Sequence, residues 1–174
     1  QNTAWRNAAA AIEALNRRGA MSPAAIRSMD ARSLARAIRT AGYYNQKAKR
    51  LKTLAAFFLS RAKVTREALL ALNGVGPETA DSVMLYAYGE PLFVVDAYTR
   101  RLFGRLGLVA AGAPYEEIRS EFERHLPRRA ALYREYHALI VTHAKNSCKK
   151  KPLCENCLLK NGCLVYVDGN FGTV

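Results

Sequence analysis

The sequence contains no long apolar run. Half of its 174 residues are hydrophobic, yet no run approaches the ~20 residues a helix needs to cross a bilayer. That excludes a helical membrane span. No secretory signal pattern is visible. No segment alternates apolar and polar residues as a half-buried strand does, which argues against a β or α/β class. Acidic residues are few beside basic ones, 14 Asp and Glu against 27 Lys and Arg, for a net charge of +13. Histidine is limited to His125, His137 and His143. His125 and His137 read as helix-surface residues without a catalytic role. His143 lies near Cys148 and could in principle be a ligand.

What is present is basic and helical. The excess charge clusters at Lys47, Lys49, Arg50 and Lys52, at Arg100, Arg101 and Arg105, and at Lys145 and Lys149 to Lys151. Such clusters suit a polyanion, because each neutralised phosphate releases counterions. A solvated basic face or attraction to anionic lipid is the alternative, but no strong amphipathic anchor accompanies the charge.

Helices are expected from Ala4 to Arg17, from Ser22-Pro23, from Ser33 to Thr40, and from an Asn45 cap to about Arg61. Thr65 caps a short helix through Leu72. Pro77 suits the first turn of a helix to Tyr88. Asp96 stands where a cap belongs, before a helix through Leu106. Pro114 to His125 and Leu132 to Lys145 complete the set, the last with Leu132, Tyr136, Leu139, Ile140 and His143 on one face. The fold class is all-α, with residues 1–91 and 92–174 as two helical domains and the Pro91 to Val95 link as their boundary. The chain begins at Gln1-Asn2-Thr3 within a helical pattern and without methionine, so a preceding segment is expected.

Two motifs carry chemistry. Leu72-Asn73-Gly74-Val75-Gly76-Pro77 reads as a glycine hairpin opening a helix. Glycine permits a turn whose backbone N–H groups face outward, a nest for one phosphate oxygen that positions a strand without reading its bases. Cys148, Cys154, Cys157 and Cys163 form a C-x5-C-x2-C-x5-C array among lysines. Structural zinc usually shows two short C-x-x-C-like knuckles. One short step flanked by two longer loops better fits thiolates wrapped around a bulky cubane, with zinc as the rival. The intervening Lys149, Lys150 and Lys151 would then form a knob of ammonium groups directed at phosphates.

Leu72 to Ala80, Val94-Val95-Asp96 and the four cysteines together resemble the endonuclease III family of DNA glycosylases, in the helix–hairpin–helix superfamily with a Gly/Pro-rich loop and an aspartate. Gly42 to Ala48 and Gln1-Asn2-Thr3 also resemble its segments. The resemblance covers nearly the whole chain to about Val165. It implies a two-lobed helical glycosylase fold with the hairpin at about 66–88, a 4Fe–4S cluster on Cys148, Cys154, Cys157 and Cys163, and DNA lying across a cleft. It assigns Asp96 to stabilising charge at the sugar of a flipped nucleotide. Gln1 matches a residue that fills the gap left by that nucleotide, and Tyr43 a wedge beside the orphan base. Gly74, Val75, Gly76 and Lys149 to Lys151 would hold the backbone.

Glu78 stands where the lyase branch carries its Schiff-base lysine. Glutamate forms no imine, so a monofunctional glycosylase is expected. Glutamate at this position resembles a smaller branch that removes alkylated purines, and its carboxylate could favour a cationic base. A bifunctional glycosylase/AP lyase and an inactive DNA-binding homologue are the alternatives. The expected partner is double-stranded DNA with a damaged base or abasic site, bound by a cytoplasmic monomer, nucleoid-associated in a prokaryote, with no membrane involved.

Overall fold

The computed structural model describes residues 3–60 and 62–169. Among them every regular element is helical, and no helix is long and apolar enough to cross a membrane. The chain forms two compact units, Gln1–Gly76 and Pro77–Val174.

The first unit begins with α1 (Trp5–Asn16). In α2 (Pro23–Ser28), the Ser22 side chain accepts from the Ala25 N–H at 3.2 Å. In α3 (Ala31–Ala37), Asp30 accepts from the Ser33 N–H at 2.9 Å. These side chains satisfy N–H groups that a helix start leaves orphaned. After a 3₁₀ turn at Arg39–Ala41 comes α4 (Tyr44–Leu59). Its cap is Tyr43, in the left-handed region at φ 46°, and not Asn45, which already lies inside the helix. Thr65 caps α5 (Arg66–Leu70) through its hydroxyl, 3.2 Å from the Ala68 nitrogen.

Alanines at 11, 20, 35, 37, 41, 48 and 55 make up much of this core, with Leu15, Ile26, Leu34 and Ile38. Small side chains let helix backbones approach closely, so the apolar stripe of α1 centres on Ala11 and Leu15 while Ile12 is exposed.

In the second unit α6 (Pro77–Val83) continues into a π-helical turn, Met84–Tyr88, ended by Gly89 at φ 70°. Leu92 to Val95 is extended, but Phe93, Val94 and Val95 are fully buried. The Phe93 N–H donates to Glu123 Oε1 (2.9 Å) and the Val95 N–H to the Tyr115 hydroxyl (3.3 Å). This explains why the compact units divide at Gly76–Pro77 and not at Pro91: the link forms the centre of the second core.

Around it lie α7 (Ala97–Arg105), α8 (Tyr115–His125) and α9 (Ala130–Asn146). Phe93 stacks on Phe122 at 4.1 Å and meets Tyr133 edge-on at 5.5 Å, arrangements that aromatic quadrupoles favour. The buried residues of α9 are Tyr133, Ile140 and Ala144, while Leu139, expected inside, is exposed. A 3₁₀ turn at Lys160–Gly162 and α10 (Leu164–Val167) follow the cysteine loop.

Candidate active site

The buried link sets the position of Asp96. With Phe93, Val94 and Val95 locked in the core, Asp96 emerges at the start of α7. Its Oδ1 accepts from the Thr99 N–H at 2.7 Å and from the Thr99 hydroxyl at 3.0 Å. Oδ2 lies 3.5 Å from His137 Nε2, and both side chains are only 14% exposed. His137 Nδ1 is 2.7 Å from the Tyr86 hydroxyl. Burial alone would raise the pKa of Asp96, but the His137 imidazole and the Thr99 N–H outweigh it and hold the carboxyl below the usual carboxylate range.

Glu78, in the first turn of α6, behaves in the opposite way. Its side chain reaches the surface, yet crowding by surrounding protein, and then the Asp96 carboxylate, raise its pKa. Arg100 and His137 moderate the rise. The two sequence-predicted acids are therefore electrostatic neighbours with opposed tendencies.

His137 is the residue that sequence reasoning missed. It was expected on a helix surface, but it packs against Asp96. The signal was available in α9: Tyr133, His137, Ile140 and Ala144 recur at four- and three-residue steps, and the other three are buried. Tyr86 had no comparable signal, because its direction depends on the wider π turn, a feature that often marks functional sites.

In the first unit, the hairpin turn needs glycine at Gly74, where φ is 84°. A Cβ there would also collide with the Arg50 side chain. At Gly76 a Cβ would meet nothing within 4 Å. The Val75 N–H donates to Leu72 O at 3.1 Å and closes the turn, so this amide is engaged within the chain. Tyr43 is 70% exposed. Gln1 lies outside the described residues.

The four cysteines are free thiols that line one cavity with Leu102, Arg105 and His143. Burial and the three neighbouring thiols push the Cys154 pKa up, against the opposing Arg105 charge. Arg105, 3% exposed, donates to Cys148 Sγ (3.3 Å), Lys149 O (2.5 Å) and Lys150 O (2.9 Å). His143 Nε2 is 3.5 Å from Cys157 Sγ. Among the described residues no three Cys, His, Asp or Glu side chains converge as one metal ion requires. Soft donors spread around a common cavity fit a multi-iron cluster better than a single zinc. Lys149, Lys150 and Lys151 are exposed.

A family model for HhH-GPD superfamily base excision DNA repair proteins matches residues 1–128. A protein of Methanocaldococcus jannaschii, provisionally named a DNA repair glycosylase, is 46% identical across 94% of this chain and 80% of its own length. The endonuclease III of Sulfolobus acidocaldarius is 30% identical, covering 97% of this chain and 78% of its own. Among solved structures, the H. pylori 3-methyladenine DNA glycosylase bound to 1,N6-ethenoadenine matches with a TM-score of 0.75 at 29% identity, over 83% of this chain and 80% of that one.

Proposed function

The chain belongs to the HhH-GPD superfamily of base excision DNA repair proteins, and on that premise we propose a monofunctional DNA N-glycosylase that releases a damaged base from duplex DNA and leaves an abasic site. The observation that carries the reading is Asp96. A carboxylate anchored by Thr99 and held ionised suits the positive charge that grows on deoxyribose as the C1′–N bond breaks. Water supplies the nucleophile and its oxygen joins C1′. The base departs with the bonding electron pair: a cationic base leaves neutral, a neutral one takes up a proton, and the proton lost by water passes to solvent or to Asp96. A glutamate at position 78 offers no amine for an imine, so no strand cleavage follows.

The carboxyl of Glu78 also bears on substrate. An alkylated purine carries positive charge, and an acid beside the flipped base would favour it. Similarity to the H. pylori 3-methyladenine glycosylase supports this choice. Gly74, Val75, Gly76 and the Lys149 to Lys151 knob would bind the DNA backbone, and exposed Tyr43 would stack beside the orphan base. Gln1 is proposed to fill the vacated space. Cys148, Cys154, Cys157 and Cys163 would hold a 4Fe–4S cluster, which when bound would cross-link the loop and leave base release to the protein's own side chains. The enzyme would act as a monomer in the cytoplasm, on nucleoid DNA in a prokaryote.

The test is base release from a panel of duplexes carrying alkylated, oxidised or deaminated bases, run beside borohydride trapping on an abasic duplex. Release without a trapped adduct is the expected result. A stable adduct would assign lyase chemistry instead. Tight binding without release would leave a DNA-binding homologue.

A further inference from the structure

The two oxygens of Asp96 are held unequally. Oδ1 accepts two hydrogen bonds from Thr99, which fixes the carboxyl plane within the helix cap. Oδ2 faces His137 Nε2 at 3.5 Å, and that nitrogen is buried without a hydrogen-bond partner. The other ring nitrogen is engaged, with the Tyr86 hydroxyl 2.7 Å from Nδ1. A phenol holds its proton through the neutral range, and here burial and the nearby Asp96 carboxylate make it hold more firmly. Tyr86 is therefore the donor and Nδ1 the acceptor. A neutral imidazole with Nδ1 occupied as acceptor carries its proton on Nε2, the nitrogen opposite Asp96.

We propose that Tyr86 and His137 are positioning residues for Asp96: Tyr86 selects the ring tautomer, and the resulting Nε2–H steadies Oδ2, the oxygen left free to meet the sugar. The inference deepens the glycosylase reading and rests on it. A simple packing role explains the 6.1 Å ring contact between Tyr86 and His137. It does not explain a buried ring nitrogen aimed at a carboxylate. A spacing of 3.5 Å is long for a hydrogen bond, and such contacts in catalytic sites often tighten only when substrate binds.

The charged surroundings make the arrangement consequential. Glu78 approaches Asp96 from α6 and repels its charge. Arg134 of α9 acts on Tyr86, and Arg100 of α7 on Glu78. Without His137, Asp96 keeps its like-charged neighbour and loses the opposing donor, so it takes up a proton at higher pH. In Tyr86→Phe the ring keeps its place but Nδ1 has no donor. The proton can then settle on Nδ1, leaving the Nε2 lone pair facing Oδ2.

Two readouts test the proposal, in intact protein. The first is single-turnover base release as a function of pH for wild type, Tyr86→Phe, His137→Leu and His137→Gln. The second is a carbon-13 NMR titration of the Asp96 carboxyl in the same proteins without DNA. In Tyr86→Phe and His137→Leu the acid limb of the rate is expected to move toward neutrality, with about a tenfold loss on the acid side for each pH unit of displacement. The loss is largest on the acid side and smaller at higher pH, and His137→Gln, which keeps an N–H donor, recovers most of it. A loss equal at every pH, or an unmoved Asp96 titration, would overturn the proposal in favour of packing. If wild type releases no base at all, the glycosylase reading fails, while the carboxyl titration still decides whether His137 acts on Asp96.

Discussion

Asp96 caps α7 and, in the proposed glycosylase, also stabilises the sugar, two roles that one pair of substitutions separates. As a cap its Oδ1 accepts from the Thr99 N–H at 2.7 Å and the hydroxyl at 3.0 Å. Asparagine caps helices as well as aspartate does, whereas alanine costs about 1 kcal/mol. Asp96→Asn loses only the interaction of a charge with the helix dipole, about 0.3–1 kcal/mol, and its attraction for His137. For a chain of this size each kcal/mol lowers Tm by about 2–4 °C. Catalysis responds on another scale. A carboxylate about 4 Å from a unit positive charge, at an effective dielectric near 20, contributes about 4 kcal/mol, or about a thousandfold in rate. Asp96→Asn should therefore melt within a few degrees of wild type and release base about a thousandfold more slowly, while Asp96→Ala loses both. The sign with pH follows from the depressed pKa of Asp96. Its stabilisation is full above the ordinary Asp range and disappears as pH falls through the folded-state value, so Asp96→Asn should show a shallower acid transition. The assays are thermal unfolding across pH and single-turnover base release. Base release by Asp96→Asn within tenfold of wild type would remove Asp96 from the chemistry.

Glu78→Lys places an amine where the family's lyase branch carries one, and should yield an adduct with abasic DNA on borohydride reduction. No adduct in a folded variant would show that position 78 does not approach C1′. Replacing Lys149, Lys150 and Lys151 with alanine removes three exposed cations, which at about 0.9 per phosphate should flatten the log–log salt dependence of DNA binding by about 2 to 3. An unchanged slope would place the backbone elsewhere. Arg105→Leu strips the donors from Lys149 O, Lys150 O and Cys148 Sγ. With two part-buried carbonyls left unpaired, each at the low end of about 1–3 kcal/mol, amides of residues 148–153 should exchange faster. Unaltered exchange there would mean that Arg105 does not pin the loop.

Local signals were the most legible. Caps at Ser22, Thr65 and Asp96 depend on a side chain and an amide three residues on, and the structure has all three. Asn45 failed as a cap because Tyr43 takes the left-handed conformation and starts α4 two residues earlier, which residue preference does not foretell. The face of α9 was misjudged because large apolar residues attract attention. Leu139 is exposed while small Ala144 is buried, since what lies inward depends on the neighbouring helices. The Pro91 link follows turn-forming residues and reads as a domain boundary. Only tertiary structure reveals that Phe93, Val94 and Val95 are the centre of a core, braced by Glu123 and Tyr115.

That link also sets the position of Asp96 beside Glu78 and His137. A carboxylate useful at a sugar must be ionised, and its charge is felt by any second carboxyl close by. The environments of the two acids in this unit differ accordingly. Asp96 sits at a helix start with two Thr99 donors and an imidazole beside it, so the charged form is favoured despite burial. Glu78 is crowded by surrounding protein and has the Asp96 charge as a neighbour, so the neutral form gains. Two carboxyls whose environments push their proton affinities apart are divided in charge, with Asp96 ionising at lower pH than Glu78. The division depends on Asp96 staying charged, because its charge is part of what raises Glu78. His137 therefore acts on both acids: it favours the charged form of Asp96 and directly moderates the rise at Glu78.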